Sequence, residues 1–231
     1  MFNNAVYIIP SASFLNPEML GRFENFTIDD SKFLRSALYL NMVENFFRDE
    51  NKTDCYFVLD ESDRDFITDE FKLNKLNFHF ADLSKPKLLF ENLFLKEFNT
   101  HKNNIIISSD IIGINQTELD KYFNLLNIDD ESLLIGKSKE GVIGVFGFNS
   151  YSLDIFNCLV KSDFKYSNFL SCSKTLNHFI HTLNDILLIK NIEHFKQLYI
   201  ELSQKKSIEY CSQQMHEKFT HLFIEYKELL K

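Results

Sequence analysis

The run Ile105-Ile106-Ile107-Ser108-Ser109-Asp110 decides how this chain is read. Three β-branched residues in succession predict a strand buried on both faces, as occurs where helices cover both sides of a parallel sheet. Two hydroxyls and a carboxylate follow immediately. In open parallel sheets ligands bind beyond the carboxyl ends of the strands, which makes Ser109 and Asp110 candidate ligand-binding residues. A carboxylate beside hydroxyls can hold a ribose hydroxyl or a hard cation such as Mg²⁺, so Asp110 is also the candidate metal ligand. The ordinary alternative is an aspartate that closes a turn.

On the N-terminal side, Ala5-Val-Tyr-Ile-Ile9, Cys55–Leu59 and Phe78–Ala81 predict further strands. A helix capped by Asp29-Asp30-Ser31 has apolar positions at Phe33, Leu34, Leu38, Met42, Val43 and Phe46. Ser84 is expected to cap a second helix, with Pro86 in its first turn and Leu89, Leu93 and Phe94 on its apolar face. On the C-terminal side a loop with Gly113 leads to a helix over Thr117–Leu126, then strands at Ser132–Ile135 and Val142–Phe148. A helix at Ser152–Val160, another at Ser173–Leu183, a strand at Ile186–Ile189 and two C-terminal helices complete the pattern. Strands separated by helices predict βαβ units around a mostly parallel, twisted sheet. No linker divides the chain, so residues 1–204 read as one α/β domain. From Ser207 to Lys231 there is no Gly or Pro, and apolar residues recur every three or four positions. That predicts an amphipathic helix over 205–231. It packs on its own domain or, because Phe223 and Leu230 widen its apolar stripe, on a second copy in a homodimer.

The segment Gly136-Lys137-Ser138-Lys139-Glu140-Gly141 joins two strands, and Gly144 and Gly147 follow within the second. Glycine inside a strand marks close approach of a ligand or of another part of the chain. Lys137 and Lys139 could meet a diphosphate as point charges, although no phosphate-loop motif is present. His178 and His181 lie three apart without a carboxylate or cysteine joining them, and no nucleophile elbow occurs. Cys55, Cys158, Cys172 and Cys211 are too scattered for a zinc site, and their spacing suggests no disulfide framework.

Lys and Arg number 25 against 33 Asp and Glu, a net charge of −8, which disfavours nucleic acid as a partner. The 231 residues suffice for a core without staples. No apolar run approaches the roughly 18 residues of a membrane span. Ala5–Ile9 is too short for a signal-peptide core, so the cytoplasm is the expected location.

From Ile105 to Phe148 the order of features resembles the small GT-A-like glycosyltransferases of the nucleotide-diphospho-sugar transferase superfamily, the radical-SAM/selenodomain-associated type. Members carry a hydrophobic strand ending Gly-Ser-Asp-Ser/Cys-Pro, a helix, a strand ending Gly-Pro, an Asp-Gly-Gly-Tyr-Tyr motif and a late Asp-Val-Asp-Thr motif. Strand order extends the likeness loosely over most of the chain. The resemblance implies an α/β GT-A-like three-layer sandwich with extra C-terminal helices, a nucleotide-sugar partner and a divalent cation, Mg²⁺ or Mn²⁺. Ser109, Asp110 and Gly141 match the motifs directly, with Asp110 as the implied metal ligand. Lys137 and Lys139 would meet phosphate, and Glu140 would assist catalysis at the acceptor.

The departures from the pattern concentrate at the chemistry. Ile111-Ile112 replaces a polar residue and Pro, Glu140 replaces Asp, Val142 replaces a Gly, and Ile143-Gly144 replaces the aromatic pair. Lys190 stands where the late motif has a carboxylate, and Pro10–Pro17 lacks the basic residues of a nucleotide-binding loop. Losing one well-placed electrostatic group typically costs roughly 10²–10³ in rate. Two functions are therefore expected: glycosyl transfer from a nucleotide-activated sugar, or a non-catalytic binding or assembly role on the same fold.

Overall fold

The computed structural model describes residues 3–16, 22–46, 53–67 and 77–231, the side chain of Phe94 excepted. Pro17, the last residue of the loop read above, lies outside the described residues, as does the Phe94 side chain.

Alternating burial builds the centre of the molecule. β1 (Asn4–Ile9) is the second strand from the middle of a seven-stranded sheet, followed in chain order by β2 (Thr53–Asp60), β3 (Asn77–Ala81) and β4 (Asn103–Ser108). β6 (Ser132–Lys137), β7 (Ile143–Phe148) and β8 (Phe179–Thr182) complete it, in spatial order β3-β2-β1-β4-β7-β6-β8. Ile105–Ile107 lies in β4, the central strand, with β1 parallel on one side and β7 antiparallel on the other. The β1–β2, β2–β3 and β6–β8 pairs are parallel, and only the pairs made by β7 run antiparallel.

The two-residue period of the strands sends their side chains into two separate cores. Val6, Ile8, Phe57, Leu59, Ile105 and Ile107 face one core, together with α1 (Ile28–Phe46), α3 (Gln116–Leu126), α6 (Ile192–Leu202) and α7 (Gln213–Glu225). Ala5, Tyr7, Tyr56, Val58 and Ile106 face the other, with α2 (Pro86–Lys96), α4 (Leu153–Lys161) and α5 (Tyr166–Ser173). Helices on both faces of a mostly parallel sheet make the three-layer sandwich expected from the sequence.

α1 starts where the Asp30 N–H donates to Thr27 Oγ1, and Asp29 and Asp30 favour its positive end. It is buried nearly all round, because α7 covers the side that the sheet does not. The Tyr226 ring stacks on Phe26 at 3.9 Å, and its hydroxyl donates to Asp30 and accepts from the Thr27 N–H. Most of the C-terminal stripe is thus covered within the chain, while Ile208 and Ile224 stay exposed. Met215, Phe219, Leu222 and Phe223 are buried, and nothing in this face supports the homodimer. The single helix expected over 205–231 is instead a 3₁₀ turn at Lys205–Glu209, α7 capped by Ser212, and a second 3₁₀ turn at Lys227–Leu230.

Three further expectations change. Helix Ser173–Leu183 does not form: α5 ends at Ser173, and Phe179–Thr182 pairs parallel with β6 as an edge strand. The aromatic and β-branched run Phe179-Ile-His-Thr182 suits a pleated edge, and pairing overrides the weak helical spacing. The strand at Ile186–Ile189 shrinks to β9 (Leu187–Leu188), which leaves the main sheet and pairs antiparallel with β5 (Ile111–Ile112). Ser84 does not cap α2; its hydroxyl bonds Asp82, and Pro86 starts the helix without a side-chain cap. Among the described residues no helix is long and apolar enough to cross a membrane.

Candidate functional site

The parallel strands β1 and β4 end side by side, where the Ser109 N–H donates to the Ile9 carbonyl at 3.0 Å. Beyond these ends lies a cavity of about 370 Å³. Ile9, Phe90, Ile106, Ile143 and Phe146 give it apolar wall, and Ser11, Ser108, Asp163, Lys165 and Lys190 supply the polar groups. The strand period explains why Ser108 faces the cavity while Ser109 does not: Ile106 and Ser108 share one face of β4.

One side of the cavity is a backbone under strain. Asp163 and Phe164 both have positive φ, 53° and 55°, in the left-handed region that bulky side chains avoid. Their turn is held by the Ile143 N–H donating to the Phe164 carbonyl at 2.7 Å and the Tyr166 N–H donating to the Gly141 carbonyl at 2.8 Å. A disulfide between Cys158 on α4 and Cys172 on α5 closes the segment that contains it. Spacing alone could not reveal this pair, because cysteines 14 positions apart become neighbours only when the two helices pack. Strained residues cluster at ligand sites, where surrounding structure over-determines them.

The loop after β1 takes the opposite course. The N–H groups of Leu15 and Asn16, each at 2.9 Å, and of Phe14 at 3.4 Å converge on the carboxylate of Asp63, which is fully buried. The Ser13 hydroxyl donates to the same carboxylate at 2.6 Å. Successive N–H groups of this kind make an anion-binding concavity; here the anion is the chain's own.

The structure distributes the sequence candidates over different places. Asp110 is 6% exposed and is not on the cavity wall; its carbonyl accepts from the Ile189 N–H and ties β5 to β9. Ser109 is buried beside it. Gly141 sits in the hairpin turn with φ +79°, a conformation that requires glycine there. Gly144 answers the close-packing alternative, since a Cβ would stand 2.9 Å from both Ile111 and Ile186. Lys137 is engaged with Asp185 in an ion pair.

Lys139 and Glu140 line a separate cavity of about 320 Å³ with Asp185, His194, Gln197 and Glu201. The Ser138 hydroxyl above all, then a main-chain N–H, then His194 at 3.2 Å hold the Glu140 carboxyl down at about 2. A carboxylate so stabilised stays ionised and is a weak base at neutral pH. Glu140 and Asp110 therefore do not share a cavity wall.

The sequence names Ser108 only as part of the strand end and Lys190 only as a departure from the family's late motif, and it does not point to Asp163 or Lys165. Nothing in the sequence marks those two, because their place on the wall comes from the strained turn.

The wall carries two lysines and one aspartate. Mg²⁺ and Mn²⁺ need several oxygen ligands, usually with one or two carboxylates, and among the described residues no three His, Cys, Asp or Glu are grouped to hold a metal. With two ammonium groups beside its single carboxylate, the wall does not fit a divalent cation.

No family model matches the chain, and no curated protein matches its sequence. Solved structures do match its fold. A Desulfovibrio desulfuricans G20 protein, provisionally described as a nucleotide-diphospho-sugar transferase, superposes over 100% of this chain and 97% of its own, with a TM-score of 0.74 at 16% identity. A cytidylyltransferase from Leptospira borgpetersenii superposes over 99% and 95%, with a TM-score of 0.53 at 12% identity. A homolog of Mycobacterium tuberculosis rv0371c from Mycobacterium sp. strain JC1 covers 87% and 98%, with a TM-score of 0.51 at 13% identity.

Proposed function

Because the chain has a nucleotide-diphospho-sugar transferase-like fold, we propose that it binds a nucleotide-activated sugar in the cavity beyond β1 and β4. One observation carries this reading: a cavity of about 370 Å³ at the carboxyl ends of two parallel strands combines apolar wall with two lysines. A nucleotide sugar needs apolar contact for its base and cationic groups for its diphosphate. The Ser11 and Ser108 hydroxyls are placed to hydrogen-bond ribose or phosphate oxygens.

Binding is the function this site supports best, since neither Glu140 nor Asp110 lines this cavity and the Glu140 carboxylate is engaged by Ser138 and His194. Glycosyl transfer is the second reading, and Asp163 favours it. Asp163 is the carboxylate on the cavity wall, it makes no side-chain hydrogen bond or ion pair among the described residues, and it sits on strained backbone.

The test is a thermal-shift screen of nucleoside diphosphates and nucleotide sugars, followed by an assay for nucleoside diphosphate released from whichever sugar donor binds. Stabilisation by a donor supports binding, and a screen in which nothing stabilises the protein overturns the proposal. Release that disappears in Asp163→Asn supports transfer; tight binding without release leaves the binding role alone.

A further inference from the structure

We infer that the cavity holds the phosphate groups of its ligand directly through Lys165 and Lys190, without a bridging divalent cation. This inference rests on the nucleotide-binding reading above and adds how the charge is met.

The two lysines reach the cavity from different parts of the chain. Lys165 follows the strained pair Asp163–Phe164, and its backbone bridges antiparallel to Val142 beside β7. Lys190 follows directly after the β9 segment, next to the Ile189 N–H that bonds the Asp110 carbonyl. Both side chains are exposed on the cavity wall and, among the described residues, neither has a hydrogen-bond or ion-pair partner.

Other lysines, Lys139, Lys161 and Lys206 among them, also make no ion pair among the described residues; what distinguishes Lys165 and Lys190 is that both line one cavity. In a chain of net charge −8, Lys85, Lys121, Lys137, Lys196 and Lys231 each pair with a nearby carboxylate. Two unpaired ammonium groups on one cavity wall make it cationic against the sign of the whole molecule. A divalent cation placed there would be repelled by both lysines and would find one carboxylate, Asp163. A diphosphate would be attracted by both lysines and could accept from the Ser11 and Ser108 hydroxyls as well.

The alternative anion site on this sheet edge is already filled. The N–H groups of Phe14, Leu15 and Asn16, which could otherwise cradle a phosphate, are directed to Asp63. Among the described residues lining this cavity, Lys165 and Lys190, with the Ser11 and Ser108 hydroxyls, remain to meet an anionic ligand. Lysine suits the task because its ammonium is a compact point charge on a flexible stem.

The experiment is isothermal titration of the full chain with ADP, CDP, GDP, UDP and inorganic diphosphate, each in EDTA and in excess Mg²⁺ or Mn²⁺. The expected result is binding of at least one nucleoside diphosphate in EDTA, with metal strengthening it by less than about threefold. Lys165→Gln and Lys190→Gln, both at exposed positions, should each weaken it by about tenfold or more, the usual effect of losing a charged hydrogen bond. The double variant should also flatten the salt dependence of binding, a readout that loss of fold would not give.

Binding that requires metal, or that survives both substitutions unchanged, overturns the inference while leaving the nucleotide reading in place. Lysine-dependent binding of inorganic diphosphate alone upholds the lysine clamp and removes the nucleoside from the proposed function. Absence of binding by every probe in both conditions overturns the two together.

Discussion

Two loops at the same edge of the sheet treat negative charge in opposite ways. The loop after β1, Ser11–Asn16, closes on Asp63, whose carboxylate accepts from one hydroxyl and successive main-chain N–H groups. The turn after α4, Ser162–Lys165, has its carboxylate and its ammonium both without partners among the described residues, on backbone with two positive φ angles. From Ser13 to Asn16 the first loop directs its donors to Asp63, an arrangement built for stability. The second keeps polar groups open on a cavity wall and is held in place by a disulfide and by main-chain hydrogen bonds, those from the Ile143 and Tyr166 N–H groups among them. On the proposed reading, anion binding on this edge falls to Lys165 on the second loop and to Lys190.

The sharpest way to break this contrast is to remove the internal anion. Asp63→Ala orphans the Leu15 and Asn16 N–H groups and the Ser13 hydroxyl in a buried setting, and each unsatisfied donor costs about 1–3 kcal/mol. The expected loss is about 4 kcal/mol in urea denaturation. A loss below about 1 kcal/mol would mean that the loop is not held by this carboxylate.

Next in size is the tether of the open loop. Reducing Cys158–Cys172, or replacing both with Ser, frees a segment with a separation of 14 residues, which should cost about 3 kcal/mol. Hydrogen exchange at the Ile143 and Tyr166 amides, which hold the strained turn, should accelerate in the reduced protein. Unchanged stability on reduction would show that packing between α4 and α5 holds the wall without the bond.

The same contrast explains what could be read from the sequence and what could not. The unbroken Ile105–Ile107 run identified the central strand, because burial on both faces leaves a composition signature. The two-sided core was legible for the same reason. The edge strand at Phe179–Thr182 was not, because half-exposed residues carry no clear period and the strand exists only by pairing with β6. The carboxyl end of β4 was legible as a strand end, but not that the pleat turns Ser108 rather than Ser109 to the cavity beside it. Lys165 and Asp163 left no sequence signal, since a strained turn is set by tertiary hydrogen bonds. Asp63 was invisible as an anchor because its donors lie 47 to 50 positions away.

A smaller effect of opposite sign separates the two aspartates. Asp163 adopts φ 53° without any side-chain hydrogen bond or ion pair among the described residues to offset the strain. Asp163→Gly should therefore stabilise the protein, by about 1 kcal/mol, since glycine accepts this conformation freely. Thermal denaturation measures it; a destabilised variant would show that the Asp163 side chain makes a favourable interaction the open-loop picture denies.

The smallest effect concerns Glu140, a third carboxylate whose partners, like those of Asp63, belong to the chain. Its pKa falls from 4.5 to about 2, chiefly through the Ser138 hydroxyl, with a main-chain N–H and His194 adding to it. A carboxyl group depressed in the folded state contributes stability above its unfolded pKa and loses that contribution as pH falls through the folded value. The window therefore runs from about 4.5 down to about 2. Glu140 is half exposed, so solvent screening keeps the contribution small. Wild type should exceed Glu140→Gln in melting temperature near pH 5, where the carboxylate is ionised in both states, and the two curves should converge as pH approaches 2. A difference that persists unchanged at the acid end would locate the effect in amide packing rather than in charge. Glu140 would then no longer belong with Asp63 among the carboxylates held by the chain, and the contrast with Asp163 would rest on Asp63 alone.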